Sequence, residues 1–146
     1  MTAVSHALIG AAIGAKVPNL PAAAIICVVT HLACDAIPHW DLGTNWRLRP
    51  KVITGALAIA ETLIALFGTY FLFRNQIETQ LLLTCIICSL LPDWIEAPYY
   101  MIYPPSQFFY KMYQAQAWAH QRAEYPLGVI TQVATVALFL WVGFVI

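Results

Sequence analysis

Charged side chains are scarce in this 146-residue sequence: 10% of the residues are Asp, Glu, Lys or Arg, whereas 61% are hydrophobic. Ordinary soluble domains carry about 25% charged residues, and a chain of this size needs polar groups over most of its surface to stay in water. The composition therefore excludes an ordinary soluble domain and indicates an integral membrane protein. Seven basic and seven acidic residues give zero net charge, so the excess of basic residues typical of nucleic-acid binding is absent.

The sequence also lacks a basic stretch ahead of its first apolar segment, and His6 lies inside that segment. Because a secretory signal peptide begins with a basic region, we expect the first helix to be retained. Cys85-x-x-Cys88 lacks the second cysteine pair and the polar loop of a zinc or redox motif. We interpret the cysteines as small buried residues.

Apolar stretches bounded by proline or by short polar connections predict an all-α integral membrane bundle of about five membrane segments. Segments two and four are expected to end before Pro38 and Pro92, because proline disfavours a helical conformation of the preceding residue. We treat residues 1–146 as a single membrane domain. It comprises a first hairpin at 2–37 (segments 2–16 and 21–37), a second hairpin at 51–91 (segments 51–73 and 77–91), a cytoplasmic or interfacial region at 92–124, and a final span at 125–146.

Aromatic and basic residues indicate how the bundle sits in the membrane. Phe108, Phe109, Met112 and Tyr113 recur at helical spacing and predict an amphipathic helix at the interface. The positive-inside rule predicts a multi-pass protein with loop 38–51, region 92–124 and the N-terminus in the cytoplasm. These two regions carry Arg47, Arg49, Lys51, Lys111 and Arg122, against Lys16 and Arg74 on the other side.

Two stretches match without gaps and indicate an internal repeat. Thr, Cys, Pro and Trp recur at the same offsets in Thr30–Trp40 and Thr84–Trp94. With the offset shifted by one residue, His6 in the first segment corresponds to Glu61 in the third. The sequence therefore predicts two tandem helical hairpins related by an axis along the membrane normal.

All four histidines and most of the acids lie in or beside apolar segments, where ionisable groups are costly and usually face the bundle interior. His31 and Asp35 lie four residues apart on one helix face. Imidazole and carboxylate ligands suit zinc first, with manganese and iron as alternatives. The sequence predicts a divalent-metal site with the ligands His6, His31, Asp35, His39, Asp93 and His120.

Three further residues have predicted catalytic roles. Asp41 and Glu61 complete a second metal site or supply a general base, and Arg122 pairs with a phosphate through its planar guanidinium. A hydrolytic zinc site needs about three protein ligands and an open position for water, so this supply of ligands leaves two ions open. Glu61 is expected about 15 Å beyond Lys51 along its helix.

Structural roles remain open for each of these residues. His31 and Asp35 can form a hydrogen-bonded pair that fixes helix packing, and Glu61 can be a protonated acid bonded to a neighbouring backbone. The other candidates, which can equally pack, cap helices or face solvent, are His6, His39, Asp41, Asp93 and His120. The prediction of a metal depends on their convergence in one place.

Three short motifs are similar to those of the YdjM-like family: Ser5-His6-Ala-Leu-Ile-Gly, Leu90-Leu91-Pro92-Asp93 and Ala119-His120-Gln-Arg122. Members of this family are bacterial inner-membrane proteins described as membrane-bound metal-dependent hydrolases. The resemblance implies that His6, Asp93 and His120 are ligand or catalytic positions.

The chain departs from that family's pattern at one corner. In the family, the Pro-Asp pair is followed by another Asp and a His, whereas Trp94, Ile95 and Glu96 follow here. The corner of Pro38, His39, Trp40 and Asp41 contains groups that can replace them.

The leading hypothesis is a metal-dependent hydrolase of the bacterial cytoplasmic membrane. Its expected substrate is a phosphoester or another small or lipid-derived molecule, because the expected site lies near the lipid headgroups at the cytoplasmic face. One alternative is a non-enzymatic transporter or ion-binding protein, which tandem repeats and the intramembrane Glu61 would also fit. Another is a membrane scaffold that binds a partner.

Overall fold

The computed structural model describes residues 1–43, 46–102 and 106–146, so parts of the predicted loop 38–51 and region 92–124 lie outside the described residues. The described residues form six α-helices and no β-strand, which confirms the all-α class. The helices are α1 (Ala3–Lys16), α2 (Leu20–Asp35), α3 (Lys51–Phe73), α4 (Thr79–Met101), α5 (Gln107–Ala119) and α6 (Leu127–Phe144).

Three of these helices, α3, α4 and α6, are long and apolar enough to cross a membrane. Large apolar side chains such as Ile64, Phe71 and Leu72 are exposed on α3, which suits a helix whose surroundings are lipid. The 14 residues of α1 and the 16 residues of α2 fall short of the roughly 20 needed for a full span.

Small residues let α1 lie at the centre of the bundle, in contact with α3, α4 and α6. A Cβ atom at Gly10 would lie 2.8 Å from the Cys85 carbonyl oxygen on α4. A Cβ atom at Gly143 on α6 would lie 2.8 Å from the Cα atom of Ala12. Close helix approach through small residues is the usual way in which membrane helices associate.

The prediction that the fourth segment ends before Pro92 is wrong, because α4 continues through Pro92 and Pro98 to Met101. Proline removes one intrahelical hydrogen bond, but helices of membrane proteins tolerate this loss where neighbouring groups satisfy the freed backbone. Pro92 removes the intrahelical donor of the Cys88 carbonyl. The carbonyl of the next residue, Ser89, accepts a hydrogen bond from the His31 ring on α2, which ties this part of α4 to its neighbour. The continuation places the acidic residues after Pro92 on a rigid helix.

The segment after α2 and the segment before α6 are joined by backbone hydrogen bonds at one end of the bundle. The His39 N–H donates to the Gln121 carbonyl at 3.0 Å, and the Ala123 N–H donates to the His39 carbonyl at 2.7 Å. At the same end, α5 packs on α4, with the Tyr99 and Tyr113 rings stacked 4.0 Å apart. A helix, α5, is therefore present where an interfacial helix was predicted, and His39 is held close to the start of α6.

Candidate metal centre

The carboxylate of Asp35 lies at the centre of the histidine cluster and is 1% exposed. Its Oδ1 atom is 3.1 Å from His6 Nε2 and 3.7 Å from His39 Nε2. Its Oδ2 atom is 3.3 Å from His31 Nε2 and 3.4 Å from His120 Nδ1. One carboxylate thus faces all four imidazole rings, which come from α1, α2 and the two segments that follow α2 and α5.

The candidate ligand atoms form two neighbouring groups, within each of which all the atoms lie within 4.8 Å of one another. In one group, the His6 and His31 rings stack with centroids 3.8 Å apart, and His31 Nε2 is 3.5 Å from Asp93 Oδ1. In the other group, His39 Nε2 is 2.9 Å from His120 Nε2. The groups are His6, His31 and Asp93, and Asp35, His39 and His120, so the structure brings together all six predicted ligands.

These spacings match those of atoms that share a metal ion. Nitrogen and oxygen ligands about 2.0–2.1 Å from a tetrahedral zinc ion lie roughly 3.3 Å from one another. The contacts of Asp35 with the four imidazoles, at 3.1 to 3.7 Å, fall around that value. The donor set of imidazole and carboxylate groups also suits a divalent transition metal.

Backbone carbonyls fix the orientation of two of the rings. Nδ1–H of His31 donates to the Ser89 carbonyl at 2.7 Å, and Nδ1–H of His39 donates to the Ile37 carbonyl at 2.8 Å. Because a carbonyl only accepts, the proton of each neutral ring lies on Nδ1 and the lone pair on Nε2. Metal-binding histidines typically donate their other ring nitrogen to such an acceptor.

Two buried atoms in the cluster are electron-rich and face each other. His31 Nε2 and Asp35 Oδ2 lack a hydrogen-bond partner among the described residues. An imidazole lone pair and a carboxylate oxygen repel unless a cation or a proton lies between them. The residues present therefore fit a divalent cation at this position.

Asp41, which was predicted to be catalytic, lies beside the second group. Its Oδ2 atom is 2.8 Å from His120 Nε2 and 3.7 Å from His39 Nε2. Nε–H of Arg122 donates to both Asp41 oxygens, at 3.2 and 3.0 Å. Burial by itself raises the pKa of the Asp41 carboxyl, but the neighbouring His120 and His39 rings, together with the Arg122 charge, hold that pKa well below its ordinary value.

The charges around His120 favour its protonated form. Burial by itself lowers the pKa of the His120 imidazole, but the neighbouring carboxylates of Asp35 and Asp41 raise that pKa above its usual value. The same two carboxylates would stabilise a metal cation on this ring. The second group therefore has the negative potential that a cation requires.

A cavity of about 240 Å³ adjoins both groups. Asp93 from the first group and His120 from the second line it, together with the three predicted catalytic residues, Asp41, Glu61 and Arg122. Glu61 accepts a hydrogen bond from the Ala3 N–H at 2.8 Å and belongs to neither ligand group. Glu61 and the cluster therefore lie near the middle of α3 and α4, beside the start of α1.

Two residues of the site were not among the predicted ligands or catalytic residues. Glu96 is 7% exposed, accepts a hydrogen bond from the Tyr100 hydroxyl at 2.8 Å, and lines the cavity. Gln116 on α5 donates to Asp93 Oδ1 at 2.8 Å. The spacing of Asp93 and Glu96 would have placed both on one face of α4 if the helix had been continued through Pro92, whereas no pattern marks Gln116.

The cysteines are absent from both ligand groups: Cys27, Cys34 and Cys85 are buried and Cys88 is partly buried.

No family model matches the chain, and neither does any curated protein or solved structure with which it was compared. A functional assignment therefore depends on the geometry of this site.

Proposed function

We propose that the protein is a membrane-bound metal-dependent hydrolase whose histidine and aspartate cluster holds divalent cations. The single observation that carries this proposal is the contact of one buried carboxylate, Asp35, with four imidazoles at 3.1 to 3.7 Å. Zinc is the first candidate because imidazole nitrogens dominate the donor set, and manganese or iron are alternatives.

The two ligand groups support a centre of two ions. His6, His31 and Asp93 would hold one ion, and His39 and His120, with Asp41 beside them, would hold the other. Asp35 would bridge the ions, since its Oδ1 and Oδ2 atoms each face one histidine of either group. Two ions about 3.5–4 Å apart are a common arrangement in phosphoester hydrolysis.

The residues that line the cavity have distinct roles in this proposal. When bound, a divalent cation polarises a phosphoryl oxygen and makes water a nucleophile near pH 7. Glu61, which lines the cavity and belongs to neither ligand group, accepts the proton of the attacking water. Arg122 holds a phosphate oxygen, and Asp41 fixes the position of Arg122 through the bonds to its Nε atom.

A phosphoester, and specifically one carried by a lipid, is the proposed substrate. The cavity joins the acidic cluster and Arg122 to an apolar wall formed by residues of α3 and α4. A substrate with a charged end and an apolar remainder fits such a lining.

The membrane arrangement proposed with this function is that of a bacterial inner-membrane protein. It has about five membrane segments, a cytoplasmic N-terminus and a tandem hairpin repeat, and it belongs to the YdjM-like family. Support comes from the basic residues near one end of the bundle and from the contact of His31 with Ser89, which lie in the two matching stretches.

Metal analysis tests the proposal directly. Protein purified in detergent without chelators and dialysed against zinc is expected to retain about two zinc ions per chain. It is also expected to release phosphate from a water-soluble phosphoester, and removal of the metal is expected to abolish this activity. A metal content near zero after zinc repletion would refute the metal site and leave a purely structural, proton-linked cluster.

Assays of the metal-loaded protein also distinguish the hydrolase from the ion-binding alternative, which the same buried acids favour. An ion-binding protein or transporter retains metal but releases no phosphate from any phosphoester. Uptake of zinc into sealed vesicles would then identify transport.

A further inference from the structure

The apolar wall of the cavity lies between α3 and α4, and small side chains line it. Gly55, Ala58 and Thr62 lie on one face of α3, at spacings of three and four residues. Ala97 lies across the cavity on α4. Ala58 and Ala97 each carry only a methyl group, so the cavity that both residues line leaves a gap between their side chains, with Ile59 beside it.

Contacts between the helices close this gap at both ends. At one end, Nε1–H of Trp94 donates to the Thr62 hydroxyl at 3.2 Å. At the other end, the Met101 side chain covers Gly55, where a Cβ atom would lie 2.7 Å from the Met101 methyl carbon. The opening is therefore a lateral window in the wall between α3 and α4.

The outer side of the window is apolar and exposed. Ile59, Trp94 and Met101 line the cavity, and their side chains are 52%, 42% and 43% exposed. They belong to α3 and α4, two of the helices that are long and apolar enough to cross a membrane. Exposed apolar side chains on such helices face lipid, so the window opens toward acyl chains.

The inner side of the window is polar and holds the proposed reaction centre. Glu61, Asp93, His120 and Arg122 line the cavity within. Because Glu61 and Asp93 lie near the middle of α3 and α4, an opening between these two helices gives a molecule in the bilayer a direct route to them. A water-soluble phosphoester makes no apolar contacts that would need such an opening, whereas the acyl chain of a lipid needs an apolar path out of the cavity.

We infer that the window between α3 and α4 is the binding site of a phospholipid with a small phosphate headgroup, which enters sideways from the bilayer. The headgroup lies in the polar cavity beside Arg122, and the acyl chain leaves through the window past Ala58 and Ala97. This inference rests on the proposed function for the reaction, but lipid binding is measurable without turnover. The acidic lining repels phosphate unless metal cations are bound, so binding is expected to require metal.

A bulky residue in the window tests the inference. Ala58→Trp fills the gap, whereas Ala56→Trp adds the same side chain to an exposed position of α3 that does not line the cavity. The probe is the phosphonate analogue of dioleoyl phosphatidic acid, whose carbon–phosphorus bond is not hydrolysed; it is added to zinc-loaded protein in detergent, and retained lipid is counted by native mass spectrometry. Wild type and Ala56→Trp are expected to retain about one lipid per chain, and Ala58→Trp is expected to bind it roughly tenfold more weakly or worse.

Two further measurements identify the source of the phosphate and separate the two proposals. An excess of glycerol 3-phosphate should not displace the lipid; displacement would show a headgroup site without a role for the window. Ala58→Trp should lose hydrolysis of dioleoyl phosphatidic acid, whereas Ala56→Trp, outside the cavity lining, should keep it.

Zinc content, measured on every sample, shows whether the cluster has folded, and Ala97→Phe replaces Ala58→Trp if that variant loses its zinc. Unchanged lipid retention in a zinc-loaded window variant, or no retention by zinc-loaded wild type, would overturn the inference. If the proposed function is wrong, wild type will instead bind no zinc or release no phosphate.

Discussion

His31 Nε2 lies 3.3 Å from Asp35 Oδ2 in the buried core of the bundle, and neither atom has a hydrogen-bond partner among the described residues. The two residues are one helical turn apart on α2, so their approach follows from the helix itself. The bond from Nδ1 of His31 to the Ser89 carbonyl turns the Nε2 lone pair toward the carboxylate. A cation between the two atoms converts this repulsion into coordination.

Substitution of a ligand is expected to remove one metal ion or both, according to which of the two ligand groups the residue contacts. His6→Ala should remove one ion and His39→Ala the other, whereas Asp35→Ala should remove both, because Asp35 contacts both groups. Inductively coupled plasma mass spectrometry of zinc-repleted protein measures these contents. Thr69→Ala, a change at a buried polar residue elsewhere on α3, is the control and should retain wild-type zinc.

The same experiment can contradict the two-ion arrangement without contradicting a metal site. If wild type binds about one ion, and His6→Ala and His39→Ala both abolish it, the two groups form a single site. If Asp35→Ala retains full metal, Asp35 is not a ligand.

Much of the fold could be predicted because apolar length and helix-ending residues are local signals. The predicted segment 51–73 coincides with α3, Lys51–Phe73. The end of α4 could not be predicted in the same way, since local preference ends a helix before Pro92. Tertiary contacts, including that of His31 with the Ser89 carbonyl, accompany the continuation of the helix.

The candidate ligands could be predicted for a different reason: an ionisable residue in an apolar membrane segment is costly to expose to lipid and therefore usually faces the bundle interior. The individual contacts among these ligands, and their division into two groups, could not be predicted, because they depend on contacts between distant segments. Asp35 meets His120 across 85 positions of the sequence because the backbone of His39 bonds with those of Gln121 and Ala123. The hydrogen bond from Gln116 to Asp93 could not be predicted for the same reason.

Gly10→Ala is expected to destabilise the bundle, because its Cβ atom would lie 2.8 Å from the Cys85 carbonyl oxygen and 2.8 Å from Ser89 Oγ. Overpacking of this kind costs about 1–3 kcal/mol. Because Ser89 also accepts the bond from His31, zinc affinity should fall as well. Thermal unfolding in detergent and zinc titration measure the two effects.

Gly68→Ala is the matched control, since nothing lies within 4 Å of the Cβ atom it would add to α3. It should leave zinc binding unchanged and stabilise the helix by up to about 1 kcal/mol. Equal unfolding temperatures for the two alanine variants would contradict the close approach of α1 and α4.

Arg122→Lys is expected to weaken phosphoester binding without removing metal. Lysine keeps the positive charge but loses the planar guanidinium whose Nε atom bonds both oxygens of Asp41. We expect KM to rise roughly tenfold, a loss of about 1.4 kcal/mol, with zinc content unchanged. Arg47→Lys, at an exposed position where the guanidinium donates to the Tyr113 hydroxyl and does not line the cavity, is the control. An unchanged KM would exclude Arg122 from substrate binding.

Glu61→Gln is expected to abolish proton transfer while preserving the fold. The amide oxygen of glutamine can still accept the hydrogen bond from the Ala3 N–H, so α1 and α3 should stay in register. Zinc content should remain that of wild type, because Glu61 belongs to neither ligand group. A glutamine accepts no proton, so kcat should fall by about 10²–10⁴ with little change in KM. If zinc is lost instead, Glu61 is a ligand, and the general base must be sought elsewhere on the cavity wall, where Glu96 is the remaining carboxylate outside both groups and the Asp41–Arg122 pair.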